Sequence, residues 1–83
     1  MERKTELWRL APGERGRVAE LTVTGPMRRR FLDIGLVVGA EVICVGRSPC
    51  GDPTAYRICG AVIAIRRQDA AGVWIVRTEN DEA

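Results

Sequence analysis

Three cysteines, a run of three arginines and two tryptophans are the residues of this chain with the most chemical scope. Cys44, Cys50 and Cys59 are thiols, which bind soft metals or pair as disulfides. Their spacing is C-x5-C and C-x8-C, and the chain has no histidine. A closed structural zinc site takes four ligands and ordinarily includes a pair at C-x2–4-C spacing. Neither condition is met, and Asp52 would join as a fourth ligand only by an accident of geometry. No metal site is therefore expected, and Cys50, Asp52 and Cys59 are the residues that would have to make one. An odd number of cysteines also argues against a closed disulfide framework and for a reducing, cytoplasmic setting.

Arg28, Arg29 and Arg30 could grip phosphate, an acidic protein surface, or only water. Direct DNA readout fits poorly, because a recognition helix normally presents polar residues over several turns and is braced by a second helix. A single-strand binder stacks bases on several surface aromatics, and this chain has four aromatics in all. No nucleic acid partner is expected. The run reads as the outer side of a small helix, either a contact surface for a protein or a solvated face. Trp8 and Trp74 supply core area, and Trp8, if exposed instead, would be a binding anchor.

Catalysis has little to rest on. There is no histidine base, and no G-x-x-x-x-G-K-[ST] loop to cradle a nucleotide. The scattered carboxylates form no focused acid/base pair. No enzyme activity and no cofactor are expected. The 13 basic and 11 acidic residues give net +2. Three of the acids lie in the tail Glu79-Asn80-Asp81-Glu82, so residues 1–78 carry 13 bases against 8 acids, net +5. A mildly basic body suits an acidic protein partner or the vicinity of a cytoplasmic leaflet. No apolar run approaches the length of a membrane span, and the N-terminus has no export signal.

These residues must be held by a single small domain, because 83 residues build one modest core. Leu7-Trp8-Arg9-Leu10 followed by Pro12-Gly13 reads as an apolar docking turn. Gly16–Val23 reads as a strand with Ala19, Leu21 and Val23 on one face. Pro26–Ile34 reads as a helix: Pro26 suits a first helical position, and Met27, Phe31 and Ile34 form one stripe at i, i+4, i+7. Arg29 and Asp33 stand opposite that stripe, spaced to pair at i, i+4. Gly35 is placed as the left-handed residue past the helix, with Leu36 folding back.

Further strands follow at Gly39–Arg47, Thr54–Cys59, Ala61–Arg66 and Val73–Val76. They are separated by the turn Ser48–Pro53, a reversal at Gly60, and a loop or single helical turn at Arg67–Gly72. On its strand Cys44 shares a face with Val42 and is expected to be buried, while Cys50 and Cys59 are expected at the surface. The expected fold is mainly β: a small, partly closed barrel of about five strands with one helix between the first and second strands. The single domain takes in residues 1–83, with its core at about 7–76 and an acidic tail, 79–83, expected to be disordered.

The run from Arg29 to Val42, R-R-F-L-D-I-G-L-V-V-G-A-E-V, resembles the R-x-L-x-x-L-G-L-x-P-G-x-x-V signature of FeoA-type domains. Three further segments resemble that family in the same order: L-x-x-L-x-P-G from Leu7 to Gly13, P-C-G-D-P from Pro49 to Pro53, and I-A-I-R-R-Q-D-A from Ile63 to Ala70. The departures are Val38 where proline is frequent, Cys50 at a usually bulky apolar turn position, and Cys59 where polar residues are common. The resemblance implies an SH3-like barrel. It also implies an accessory role in ferrous iron uptake beside FeoB, a membrane transporter with a cytosolic GTPase domain. It brings no catalytic residues.

On that basis the expected partner is the cytosolic domain of a FeoB-type transporter. The chain itself is not membrane-inserted and would come close to the membrane only through that partner. The expected surface is the helix Pro26–Ile34 with the turn Ser48–Pro53, through Arg28, Arg29, Arg30, Cys50, Asp52 and Trp8. The alternative is a stand-alone peptide-binding module related to the C-terminal domain of metal-dependent repressors. Whether copies associate with one another is not legible in the residues.

Overall fold

The computed structural model describes residues 3–78. The expected acidic tail, 79–83, lies outside them. Among the described residues six strands form one antiparallel sheet: β1 (Lys4–Glu6), β2 (Arg15–Leu21), β3 (Glu41–Arg47), β4 (Thr54–Ile58), β5 (Ala61–Ile65) and β6 (Val73–Thr78). Their order across the sheet is β1-β6-β2-β3-β4-β5, so β1 and β5 are its edges. A 3-10 turn (Leu7–Arg9) follows β1, the helix α1 (Gly25–Asp33) joins β2 to β3, and the short helix α2 (Arg67–Ala70) joins β5 to β6.

One strand more is present than the residues suggested. The segment Lys4-Thr5-Glu6 has no apolar alternation to mark it, yet it pairs with Trp74–Val76 of β6. α1 consequently sits between the second and third strands. The assigned face of β2 also changes partway. The register of β2 against β6 shifts between Val18 and Glu20, and such a bulge reverses which side chains point inward. Val18 is therefore buried although it alternates with Ala19, Leu21 and Val23. A second irregularity, between Cys44 and Gly46, adds to the curl that lets one sheet enclose one core.

That core gathers Leu7 and Leu10 from the N-terminal turn, Val42 and Cys44 from β3, Tyr56 and Ile58 from β4, Ile65 from β5, and Val73 and Ile75 from β6. Gly16 on β2 permits the close pairing with β6, since a Cβ there would stand 2.8 Å from the Val76 carbonyl oxygen.

α1 is plugged into this core by Phe31, only 3% exposed, while Met27 and Ile34 are half-buried beside it. Pro26 lies in its first turn, as its missing N–H favours. The helix ends in a Schellman arrangement: Leu36 N–H donates to Phe31 O (2.8 Å) and Gly35 N–H to Leu32 O (3.1 Å). Gly35 takes φ +93°, and Leu36 and Phe31 are both buried. The expected Arg29–Asp33 pair does not form. Both side chains are exposed, and an exposed pair at this spacing gains too little to hold two mobile side chains together.

Candidate functional site

The arginine run is exposed on α1, with Arg29 opposite Phe31 and Arg28 and Arg30 flanking it, and its members are used differently. Arg28 reaches back and donates from Nη1 to the Leu21 carbonyl at the end of β2 (3.3 Å). Arg29 and Arg30 make no ion pair and no side-chain hydrogen bond among the described residues. Elsewhere arginines serve as tethers. Arg17 donates to Gly39 O (2.9 Å), Arg47 to Leu10 O (2.9 Å), and Arg77 to Arg9 O (3.0 Å). Four of the arginine side chains are thus tied to the backbone of this chain. Arg29, Arg30 and Arg66 are exposed and stand outside this set.

The turn Ser48–Pro53 is built by Gly51 N–H donating to Ser48 O (2.8 Å) and Ser48 N–H to Pro53 O (3.1 Å). Cys50 is exposed at its tip. Asp52, exposed as well, has other work. Its Oδ1 accepts from the backbone N–H of Arg67 at 2.8 Å, the first residue of α2, whose own N-cap, Arg66, offers no capping side chain. Asp52 therefore caps α2 from fifteen residues away, which satisfies a donor every helix start leaves over.

Trp8 is half-buried in the same neighbourhood. Its ring stacks under two guanidinium groups, Arg67 at 3.8 Å and Arg9 at 4.4 Å from the ring centroid. Arg67 thus joins two of the residues singled out from the sequence: Asp52 holds its backbone and Trp8 its side chain. Nothing about Arg67 alone marked it for this role, because the contacts come from segments distant in the chain.

The thiols fall where expected: Cys44 is buried, and Cys50 and Cys59 are exposed. Burial pushes the Cys44 thiol above its ordinary pKa. Cys59 adopts φ +51° in the β4–β5 turn, and its Sγ lies 3.6 Å from Gly35 O at the end of α1. A Cβ on Gly35 would collide with that sulfur. Cys50, Asp52 and Cys59 do not assemble, and among the described residues no three His, Cys, Asp or Glu side chains come close enough to share a metal ion. Burial also pushes the Tyr56 hydroxyl up to about 12, with the Thr54 side chain opposing. Among the described residues Tyr56 Oη has no hydrogen-bond partner of normal geometry, and burial keeps this phenol neutral inside the core.

Between α1 and β5 runs a groove of about 180 Å³. Met27, Arg30, Phe31 and Ile34 line its helical side, and Ile63, Ala64, Ile65 and Arg66 its strand side, with Asp69 of α2 at its border. Four consecutive residues of one extended segment line it. Side chains alternate along a strand, so this wall is the strand's edge and not one of its faces. Arg66, Asp69 and the edge of β5 were not singled out from the sequence. The available signal was the uncharged A-V-I-A-I run followed directly by two arginines.

The family model of the FeoA domain matches residues 5–77. A Fe(2+) transport protein A/Fe(2+) transporter FeoB fusion protein of Porphyromonas gingivalis is 33% identical over 64 residues, covering 77% of this chain and 8% of that protein. This chain thus corresponds to a small part of that relative. The solution structure of FeoA from Chlorobium tepidum superposes with a TM-score of 0.85 at 32% identity, over 94% of this chain and 74% of that one. Two more distant structures share the fold. Stenotrophomonas maltophilia FeoA complexed with zinc, described as a prokaryotic SH3 domain protein, has a TM-score of 0.76 at 24% identity, over 86% of this chain and 88% of that one. A manganese-dependent transcriptional repressor has a TM-score of 0.81 at 23% identity, over 94% of this chain and 44% of that one. No helix among the described residues is long and apolar enough to cross a membrane. A sheet curled round one core, a helix closed by Gly35, and a family match over nearly all of the described chain lead to one assignment: this chain belongs to the FeoA domain family, which is linked to ferrous iron transport.

Proposed function

We propose that this protein is a cytoplasmic accessory domain of ferrous iron uptake that docks on the cytosolic, GTPase-bearing part of a FeoB-type transporter and modulates it. The observation that carries this reading is the fused relative, in which a homologous segment and FeoB are one polypeptide. That fusion holds the two side by side in one molecule, which supports a direct association between separate chains.

The surface of this chain supports a binding role over a catalytic one. Arg29 and Arg30 stand exposed on a helix whose opposite side is locked into the core by Phe31 and Leu36. Such a helix presents charge without having to rearrange. Its effect on the transporter would follow from unequal affinity for the nucleotide states, because a ligand shifts an equilibrium only by its differential affinity.

The test is calorimetric titration of the transporter's cytosolic domain, in its GTP-analogue, GDP and nucleotide-free states, with wild-type protein and with Arg29→Glu/Arg30→Glu. Binding that differs between states is expected. The reversed variant should bind less tightly at low salt, and the gap should close as salt rises, since rim charges act mainly through long-range attraction. Absence of binding in every nucleotide state would sink the proposal.

A further inference from the structure

We propose that the groove between α1 and the open edge of β5 takes an extended acidic segment of a partner protein, which adds to the sheet as a seventh strand beside β5. This deepens the docking proposal and rests on it for the existence of a protein partner.

The first observation is the edge itself. β5 is the last strand of the sheet, and β4 pairs with only one of its sides. Among the described residues no loop or turn makes a backbone hydrogen bond to its outer side. A strand in this position presents outward N–H and C=O groups at alternate residues. Proteins ordinarily blunt such an edge with lysine, proline or an inward charge. β5, Ala61-Val62-Ile63-Ala64-Ile65, has none of these, and Val62 is 54% exposed. β1, the opposite edge, has only three residues and includes Lys4.

The second observation is what lies beside that edge. α1 lies across the groove from β5 and supplies Met27, Phe31 and Ile34 as an apolar wall. A strand entering here would satisfy the edge of β5 on one side and place alternate side chains against that wall. This is the logic of β-strand addition, in which main-chain bonds give affinity and pockets for alternate side chains give selectivity.

Charge selects the occupant. Arg30 and Arg66 stand on the two sides of the groove. Asp69 is the one acid on its border. A second copy of this chain would bring the same positive rim to the same place, whereas a segment alternating apolar and acidic residues matches both the wall and the rim.

The probe is a synthetic peptide alternating valine with glutamate, about seven residues long so as to outrun β5 at ~3.3 Å per residue. Its controls are the same peptide N-methylated at alternate residues along its docking edge, and one with lysine in place of glutamate. Binding is followed by amide chemical shifts and by hydrogen exchange along the full-length protein. The expected result has three parts: shifts confined to β5, α1 and α2; new exchange protection at outward amides of β5; and affinity about tenfold weaker after N-methylation, the loss of one or two net hydrogen bonds. Arg30→Glu/Arg66→Glu should exchange the preference for glutamate for one for lysine.

Equal binding of the N-methylated peptide, shifts centred on the Ser48–Pro53 turn, or self-association through β5 in sedimentation would overturn the inference. If the transporter domain binds while the glutamate peptide does not, this groove mode fails and docking stands. If the peptide binds as described and the transporter domain does not, the reverse holds.

Discussion

α1 and the turn Ser48–Pro53 were both candidate surfaces, and they handle their polar groups in opposite ways. α1 secures its position with apolar anchors, Phe31 and Leu36, and leaves Arg29 and Arg30 outside. The turn secures its position with polar groups: backbone bonds between Ser48, Gly51 and Pro53, and the Asp52 carboxylate on the Arg67 N–H. A segment held by apolar packing has its charges to spare for a partner. A segment held by hydrogen bonds has spent them, and moving Asp52 toward a ligand would uncap α2. On the docking proposal, the difference favours α1 and its groove as the recognition surface, and gives the turn, α2 and Trp8 the task of assembly.

The strongest way to break this division is to remove the anchor of α1. Phe31→Ala should cost about 3–5 kcal/mol, from lost transfer energy and the cavity left under the helix, read from urea melts. A loss below about 1 kcal/mol would mean that the helix is held by something other than its apolar root.

A smaller effect should come from the end of the same helix. Gly35→Ala forces an alanine to φ +93° and drives its Cβ into Cys59 Sγ. The backbone alone costs roughly 1–2 kcal/mol, and the collision adds to it. Cys59→Ala should be mild by itself and should recover part of the loss in the double variant, because contacting residues couple. Additive losses would show that the sulfur yields freely and that Gly35 is needed only for its backbone.

How much of this was legible before the coordinates follows the range over which each interaction acts. The helix, its Phe31 stripe and its Gly35 stop are local patterns at helical spacing, and they stand as read. The burial of Cys44 follows from simple alternation with Val42. The strand β1 was invisible because three polar-leaning residues carry no period, and only pairing with β6 makes them a strand. The face of β2 was misread at Val18 because alternation holds only until a bulge, and a bulge is set by the partner strand. Within the candidate site, the exposure of the arginines was readable. The fates of Arg28, Asp52 and Trp8 were not. Each is fixed by a group distant in sequence or on another element: the Leu21 carbonyl, the Arg67 N–H and the Arg67 guanidinium.

The smallest expected effect sharpens the comparison most directly, because it sets one charge from each region side by side. Asp52→Ala removes a helix cap, and such losses cost about 1 kcal/mol. Arg29→Ala removes an exposed side chain that makes no ion pair or side-chain hydrogen bond among the described residues, and should stay within about 0.5 kcal/mol of wild type. Melting curves separate these two values only narrowly, so a local reporter is needed. Trp8 is that reporter, since Arg67 stacks on its ring at 3.8 Å and Asp52 holds the backbone of that same arginine. In a Trp74→Phe background the emission of Trp8 should change in Asp52→Ala, as α2 loosens and the guanidinium leaves the ring. It should not change in Arg29→Ala. Partner binding should show the opposite pattern, weakened by loss of Arg29 and spared by loss of Asp52 once the small stability difference is allowed for. If Asp52→Ala instead abolished binding with Trp8 emission unchanged, the turn itself would be the contact surface, and the assignment of recognition to α1 would have to be reversed.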